Sequence, residues 1–258
     1  MPKRGQEFRA EIIKARPRLS PETISQSPSS LLHFVRWVTE RGEGLTQREQ
    51  TLIRNHRIML HDCAAEELRR EFNNILLSPA VLDALELMVD SGLLEVLIPE
   101  LLRGKGMKQS FIHPDDVLTH NLLTCSLVKP LLHLRLAGLL HDVGKPDYYV
   151  DDPQVGRRFP NHSYRSAILV PTILGRFSYP TELVKQVRLL VENHMFIWVP
   201  QHGLEPVREL MERVGKENIA DLVELITSDR EAIWGEKIKE CNRALWHALS
   251  EVITSTEM

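Results

Sequence analysis

His141-Asp142-Val143-Gly144-Lys145 closes an almost wholly apolar run, residues 131–140, interrupted only by His133 and Arg135. A helix that apolar is buried, so it carries an imidazole, a carboxylate and an ammonium towards the protein body. Burying such groups costs several kcal/mol apiece unless a partner or a metal satisfies them. A lone His-Asp pair reads more simply as a core histidine with a capping aspartate. His61-Asp62 is that case, because it opens the polar stretch Cys63-Ala64-Ala65-Glu66-Glu67. There Asp62 reads as a helix N-cap with Glu66 and Glu67 in the first turn. What separates the two sites is company. His120, His162, His194 and Asp229 each lie in or beside a different predicted helix, as a metal site in a helix-bundle core requires. Singly, each is a hydrogen-bonded core histidine or a helix-end aspartate. Together with His141 and Asp142 they make a ligand set of imidazoles and carboxylates. Such a set suits Mn, Fe, Co, Ni or Zn, tolerates Mg, and leaves room for water.

The elements that must position these groups are helical almost throughout. The helical period begins at Ser29 and runs through Leu31, Leu32, Val35, Trp37 and Val38 towards Gly42. Thr46 caps the next helix with Glu49 three residues on. A third helix runs from Asp62 to the break at Ser78-Pro79, and a fourth covers 80–90 and stops at Ser91-Gly92. Residues 93–99 read as a short apolar turn before Arg103-Gly104-Lys105-Gly106, the best linker in the chain. Further helices are predicted over 115–128, 131–143, 163–177, 181–197, 204–214, 217–231 and 236–252, with Pro180, Pro200 and Pro206 at boundaries. Residues 148–159 suggest a small hairpin around Asp151-Asp152-Pro153. The fold class is therefore all-α: a small N-terminal bundle packed on a larger helical domain. The expected divisions are an N-terminal extension over 1–28 (weakly helical at 7–14), a first helical subdomain over 29–104 and a second over 105–258.

Composition narrows the function classes. Hydrophobic residues at 43% and charged residues at 26% are ordinary for a soluble globular protein, and a net charge of -3 supplies no overall field for nucleic acid or anionic membrane. Cys63, Cys125 and Cys241 are far apart and without CxxC spacing, so they read as reduced packing residues of a cytoplasmic protein. No signal core and no membrane span is evident. No Ser-His-Asp order and no Walker loop points to covalent or NTP-driven chemistry. His33, His56, His133, His202 and His247 have no partner at useful spacing. Trp198, Trp234 and Trp246 fit helix-packing positions, with base stacking an option for Trp198.

The order His120, His141-Asp142, Asp229 resembles the HD superfamily of metal-dependent phosphohydrolases. A narrower likeness is to the neck and C-terminal HD part of bacterial CCA-adding enzymes and poly(A) polymerases. Phe111-Ile112-His113-Pro114-Asp115-Asp116-Val117-Leu118-Thr119-His120 resembles their His-Pro…Asp-Val-x-x-His segment, and 139–146 resembles their central motif nearly letter for letter. Phe159-Pro160-Asn161-His162, 190–194 and Ser228-Asp229-Arg230 continue the order, with Ser163 standing where the family usually has Glu. Upstream, 29–37, 76–79 and 92–94 resemble the family's neck, so the likeness covers roughly residues 25–235. The glycine-rich nucleotidyltransferase head has no counterpart in the fewer than 30 residues before the neck, so nucleotide addition is not expected.

The resemblance implies a first ion held by His120, His141, Asp142 and Asp229. It leaves His162 and His194 either to hold a second ion bridged by Asp142 or to touch phosphate directly. Lys145 then contacts a metal-bound phosphate as a point charge, the alternative being a solvated helix-end lysine. Arg157 and Arg158 steer an anionic substrate or are a plain surface pair. Arg230, beside Asp229, is open to either role. The expected function is hydrolysis of phosphomonoesters or cyclic phosphodiesters of nucleotides or RNA ends, with one or two divalent ions (Mn, Ni, Fe, Co, Zn or Mg). The alternative is a non-catalytic adaptor that binds tRNA or other RNA.

Overall fold

The computed structural model describes residues 16–235 together with Ala248 and Val252. The predicted segments at 7–14 and most of 236–252, with Cys241, Trp246 and His247, lie outside the described residues; Ala248 and Val252 are helical and buried. The described chain is all-α apart from one small hairpin. No described helix is long and apolar enough to cross a membrane.

Local signals set the first elements. Ser20 and Thr23 form a reciprocal capping box at the start of α1 (Pro21–Gln26), and Thr46 and Glu49 do the same for α3 (Gln47–His56). Between them α2 (Ser30–Thr39) buries Leu31, Leu32, Phe34, Val35, Trp37 and Val38. Asp62 is not an N-cap. The chain leaves α3 through a 3₁₀ turn, Arg57–Asp62, which places Leu60 in the core, and α4 (Ala65–Leu76) starts after Ala64 without a side-chain cap. Glu66 and Glu67 do occupy its first turn. α5 (Val81–Ser91) ends on Gly92 at φ +78°, a left-handed turn that glycine adopts freely. The apolar stretch that follows is two short helices, α6 (Leu93–Leu97) and α7 (Pro99–Leu102), not a turn.

The second half contains α8 (Val117–Leu127), α9 (Leu132–Leu140), α10 (His162–Gly175), α11 (Thr181–Asn193), α12 (Glu205–Val214) and α13 (Lys216–Trp234). α8 packs on α9 and α13, α10 on α11, and α11 on α9. The hairpin pairs β1 (Val150–Asp152) with β2 (Gly156–Arg158), Asp151 opposite Arg157. The segment before α8 is stitched to it through the Ser110–Gly156 bridge and Phe111 N–H donating to Val155 O at 3.0 Å.

Residues 103–106 are no slack tether. Gly104 is buried, and a Cβ there would lie 3.0 Å from Val117. One continuous core runs through both halves. The turn after α10 is held to the first half by four contacts. Phe177 stacks on Phe72 at 5.1 Å, Tyr179 donates to Asn73, Arg69 donates to the Ser178 carbonyl, and Arg176 forks onto Glu100. The Arg176 guanidinium hydrogen-bonded to Glu100 holds that carboxyl below its usual range despite partial burial. A depressed folded pKa stabilises above the unfolded value, about 4.3, and the benefit is lost as pH falls through the folded value. Glu100→Gln is therefore expected to lower stability by about 1 kcal/mol at pH 7. The gap should close in acid, which chemical denaturation at pH 7 and pH 3 would show.

Candidate metal centre

Each singled-out group sits at a helix position that apolar packing forces inward. His120 lies in the first turns of α8, whose N-cap Asp116 accepts from Thr119 N–H at 2.7 Å and from Gly106 N–H at 2.6 Å. Every residue of α9 from Leu134 to Leu140 is buried, which delivers His141 as its C-cap and Asp142 just beyond. Gly138 lets α9 press on α8: a Cβ there would lie 3.0 Å from Cys125 Cα. His162 opens α10, His194 caps the end of α11, and Asp229 lies on α13.

These six residues converge. Asp142 Oδ2 is 3.2 Å from His141 Nε2 and 3.6 Å from His120 Nε2, while Oδ1 is 3.1 Å from His162 Nε2 and 3.6 Å from His194 Nε2. Asp229 Oδ1 is 2.8 Å from His120 Nε2 and 3.4 Å from His141 Nε2. Among the described residues, ligand-type atoms form two overlapping groups that could hold an ion: His120, His141 and Asp229, and His141, Asp142 and His194.

His141 Nδ1 lies 2.8 Å from Gly138 O, His162 Nδ1 2.7 Å from Phe159 O, and His194 Nδ1 2.7 Å from Val191 O. A carbonyl only accepts, so each Nδ1 carries a proton, and a ring in its neutral form turns its Nε2 lone pair inward. Such outer hydrogen bonds fix the tautomer and orientation that a metal-ligating histidine needs. The Nε2 atoms of His120 and His141 stand 3.2 Å apart. Asp142 Oδ1 and His162 Nε2 face each other, both buried and both without a hydrogen-bond partner. Acceptors crowded in this way fit a cation.

The two carboxylates attract positive charge, whether a second ring proton or a cation. Burial pushes the His141 imidazole down, but the Asp142 and Asp229 charges outweigh it and carry it up to about 10. Burial alone would raise both carboxyls, yet His141 and Lys145 hold Asp142, and hydrogen bonds from His120 and His141 hold Asp229, well below the usual range. His194 is lowered, chiefly by burial. The centre is thus a pair of carboxylates, Asp142 buried and Asp229 half-buried, that draws positive charge.

Lys145 is 5% exposed, not a solvated helix end. Its Nζ contacts Asp142 Oδ2, donates to Gln109 Oε1 at 2.6 Å, and lies 5.2 Å from the Phe159 ring centroid. Arg157 and Arg158 line the same cavity but are tied to Asp151 and Asp152, each at 2.7 Å. Arg230 lines it as well and donates to Phe196 O at 3.2 Å.

Two further residues stand at the centre beside the sequence candidates. Gln109, 6% exposed, holds Lys145 and donates to Asp115 O at 3.3 Å; a lone glutamine in a loop offers no signal. His113 packs edge-on against His120, 5.6 Å between ring centroids, with Nδ1 2.7 Å from Ser110 Oγ. Burial and the Lys145 charge push it down to about 4, so it is neutral. Its place in the His-Pro segment before His120 was the available signal. Elsewhere, His133 does have a partner, Asp221 at 2.8 Å, which joins α9 to α13. Trp198 packs on the core and donates to Gly203 O at 2.7 Å, away from the cavity lining. Trp234 is 51% exposed and not a packing residue.

Comparison with known proteins gives the same two-part order. Residues 46–104 match the family described as the probable RNA and SrmB-binding site of polymerase A, and residues 120–241 match the HD domain. The chain is 36% identical over 202 residues to the A-adding tRNA nucleotidyltransferase of Deinococcus radiodurans, covering 75% of this chain and 46% of that protein. It is 33% identical over 242 residues to the CC-adding tRNA nucleotidyltransferase of Thermus thermophilus, covering 88% and 53%. A multifunctional CCA protein of Paracidovorax citrulli is 30% identical over 138 residues, or 52% and 32%. The chain spans about half the length of the first two relatives. By these matches the chain carries an HD domain preceded by a polymerase-A-type RNA-binding region.

Proposed function

We propose that the chain is a metal-dependent phosphohydrolase acting on phosphate esters of nucleotides or RNA ends. The observation that carries this reading is the set of inward-facing acceptors around Asp142 with a buried lysine beside it. When bound, a divalent ion supplies Lewis acidity, acidifying water and neutralising charge on phosphoryl oxygens.

The chain's own residues divide the work. His120, His141, Asp142 and Asp229 would hold a first ion. His162 and His194 face the other oxygen of Asp142 and would hold a second ion or contact a phosphoryl oxygen. The main-chain carbonyls that take the Nδ1 protons keep each Nε2 ready to ligate. Lys145, held by Gln109, presents a fixed positive charge to a phosphoryl oxygen. Arg157 and Arg158 border the mouth, where their charge favours an anionic ligand.

The test is hydrolysis of nucleotide mono- and cyclic phosphates by purified protein with Mn, Ni or Mg. Lys145→Ala is expected to lower kcat about 10²-fold, since it removes one preorganised charge, with metal content retained. Full activity in that variant would remove Lys145 from the chemistry.

A second reading, a non-catalytic RNA adaptor, is favoured by the RNA-binding match over 46–104. It calls for tight, salt-sensitive tRNA binding by metal-free protein and no turnover with any metal.

A further inference from the structure

The cavity above Asp142 and Lys145 is about 620 Å³, much more than a phosphate group fills. Its polar floor carries the metal-type ligands. The lining also holds an aliphatic set: Ile112, Val150, Met195, Ile197 and Ile233. These come from four separate places: the segment before α8, strand β1, the stretch after α11, and the last turn of α13. Ile112, Val150, Met195 and Ile197 are 53%, 39%, 48% and 64% exposed, and none belongs to the core. Apolar residues scattered singly on a surface are ordinary, but four converging on one cavity mark a surface that a ligand covers.

We infer that this aliphatic set is the subsite for the nucleoside part of a phosphorylated substrate, the base lying on aliphatic side chains while the phosphate lies at Lys145. The phosphate end of this assignment rests on the hydrolase reading above. The volume lies in the range that encloses a mononucleotide-sized molecule. Phe159 adds a ring face next to Lys145. Arg230 and Lys145 line the cavity beside this set, which suits an anionic ligand and not a bare acyl chain. Polar groups that read base edges are already engaged: Arg157 and Arg158 with Asp151 and Asp152, and Ser110 with His113. The subsite therefore recognises that a base is present more than which base it is. A free nucleotide and the terminal nucleotide of an RNA share this chemistry.

The test is equilibrium titration of Mn²⁺-loaded full chain with slowly hydrolysed phosphorothioates. The probes are adenosine and uridine monophosphorothioates, thiophosphate, decyl phosphorothioate, and a single-stranded pentanucleotide ending in a 3′-phosphorothioate. Both nucleosides should bind about 50-fold tighter than thiophosphate and within about tenfold of each other. The double variant Ile112→Ser/Ile197→Ser changes two exposed positions, so its thermal unfolding should match the parent. It should lose about tenfold on the nucleosides and less than about twofold on thiophosphate. A pentanucleotide that outbinds the mononucleotides identifies an RNA end as the source, and equal binding identifies a free nucleotide; either supports the subsite. Thiophosphate binding as well as the nucleosides, the decyl ester outbinding them, or unchanged nucleoside binding by the double variant would each overturn it. Failure of hydrolysis with this binding order intact would sink the hydrolase reading and leave the subsite standing.

Discussion

Under the proposed function, Asp142→Asn is expected to abolish metal binding and reduce hydrolysis at least 10³-fold. Asparagine keeps the shape of the side chain but removes the charge that faces all four histidines. Oδ2 looks towards His120 and His141, and Oδ1 towards His162 and His194, so one substitution weakens both halves of the centre. Stability should fall too. Lys145, almost fully buried, would keep Gln109 Oε1 as a neutral acceptor but lose the charge that balances it. Leaving one member of a buried ion pair uncompensated costs about 3–5 kcal/mol. The double variant Asp142→Asn/Lys145→Met separates the two effects, because it removes the stranded charge without restoring a ligand. Thermal unfolding should recover towards the parent while elemental analysis still finds no metal. An Asp142→Asn protein that keeps its metal and its activity would show that Asp142 is not a ligand.

Gly144→Ala should cost about 2–4 kcal/mol and weaken metal binding about 10–100-fold, although it touches no ligand. Its backbone, at φ -86°, suits any residue, so the whole effect comes from space. An added Cβ would sit 2.5 Å from Ser166 N and 2.8 Å from Arg165 C, the main chain of α10. That helix cannot yield locally and must back away, stretching the Gly144 N–H bond to Ser166 Oγ, now 2.9 Å. His162 starts the same helix and would move off Asp142 with it. Thermal melting with a metal titration would show both losses together, whereas a purely structural position would show only the first.

These two positions also show how much the sequence could tell. Apolar runs ending in His141, His194 and Asp229 predicted where the polar groups would surface inside the protein, because a buried helix has few places to end. The Thr46 and Glu49 cap was legible because both partners lie within one turn. Asp62 followed the same local grammar and still misled: burying Leu60 continues the turn beyond α3, and tertiary packing overrode the capping pattern. The His133–Asp221 pair was invisible, since 88 residues separate partners that only the packing of α9 on α13 brings together. Gln109 was invisible for a similar reason. Its importance is conferred wholly by Lys145, and nothing in its own neighbourhood announces that. The tightness of 103–106 was hidden as well, because Gly-Lys-Gly reads as slack until Val117 is seen against it.

The three carbonyls that anchor His141, His162 and His194 belong to the peptide backbone. Many histidine centres rely on outer carboxylates, each of which a single nucleotide change in the gene can erase. A peptide oxygen survives every missense substitution, so this support is largely shielded from mutational drift. The burden moves to where the chain must bend or crowd. The positions that tolerate least change outside the proposed ligands should be small residues such as Gly138 and Gly144, whose loss displaces whole helices and not single side chains.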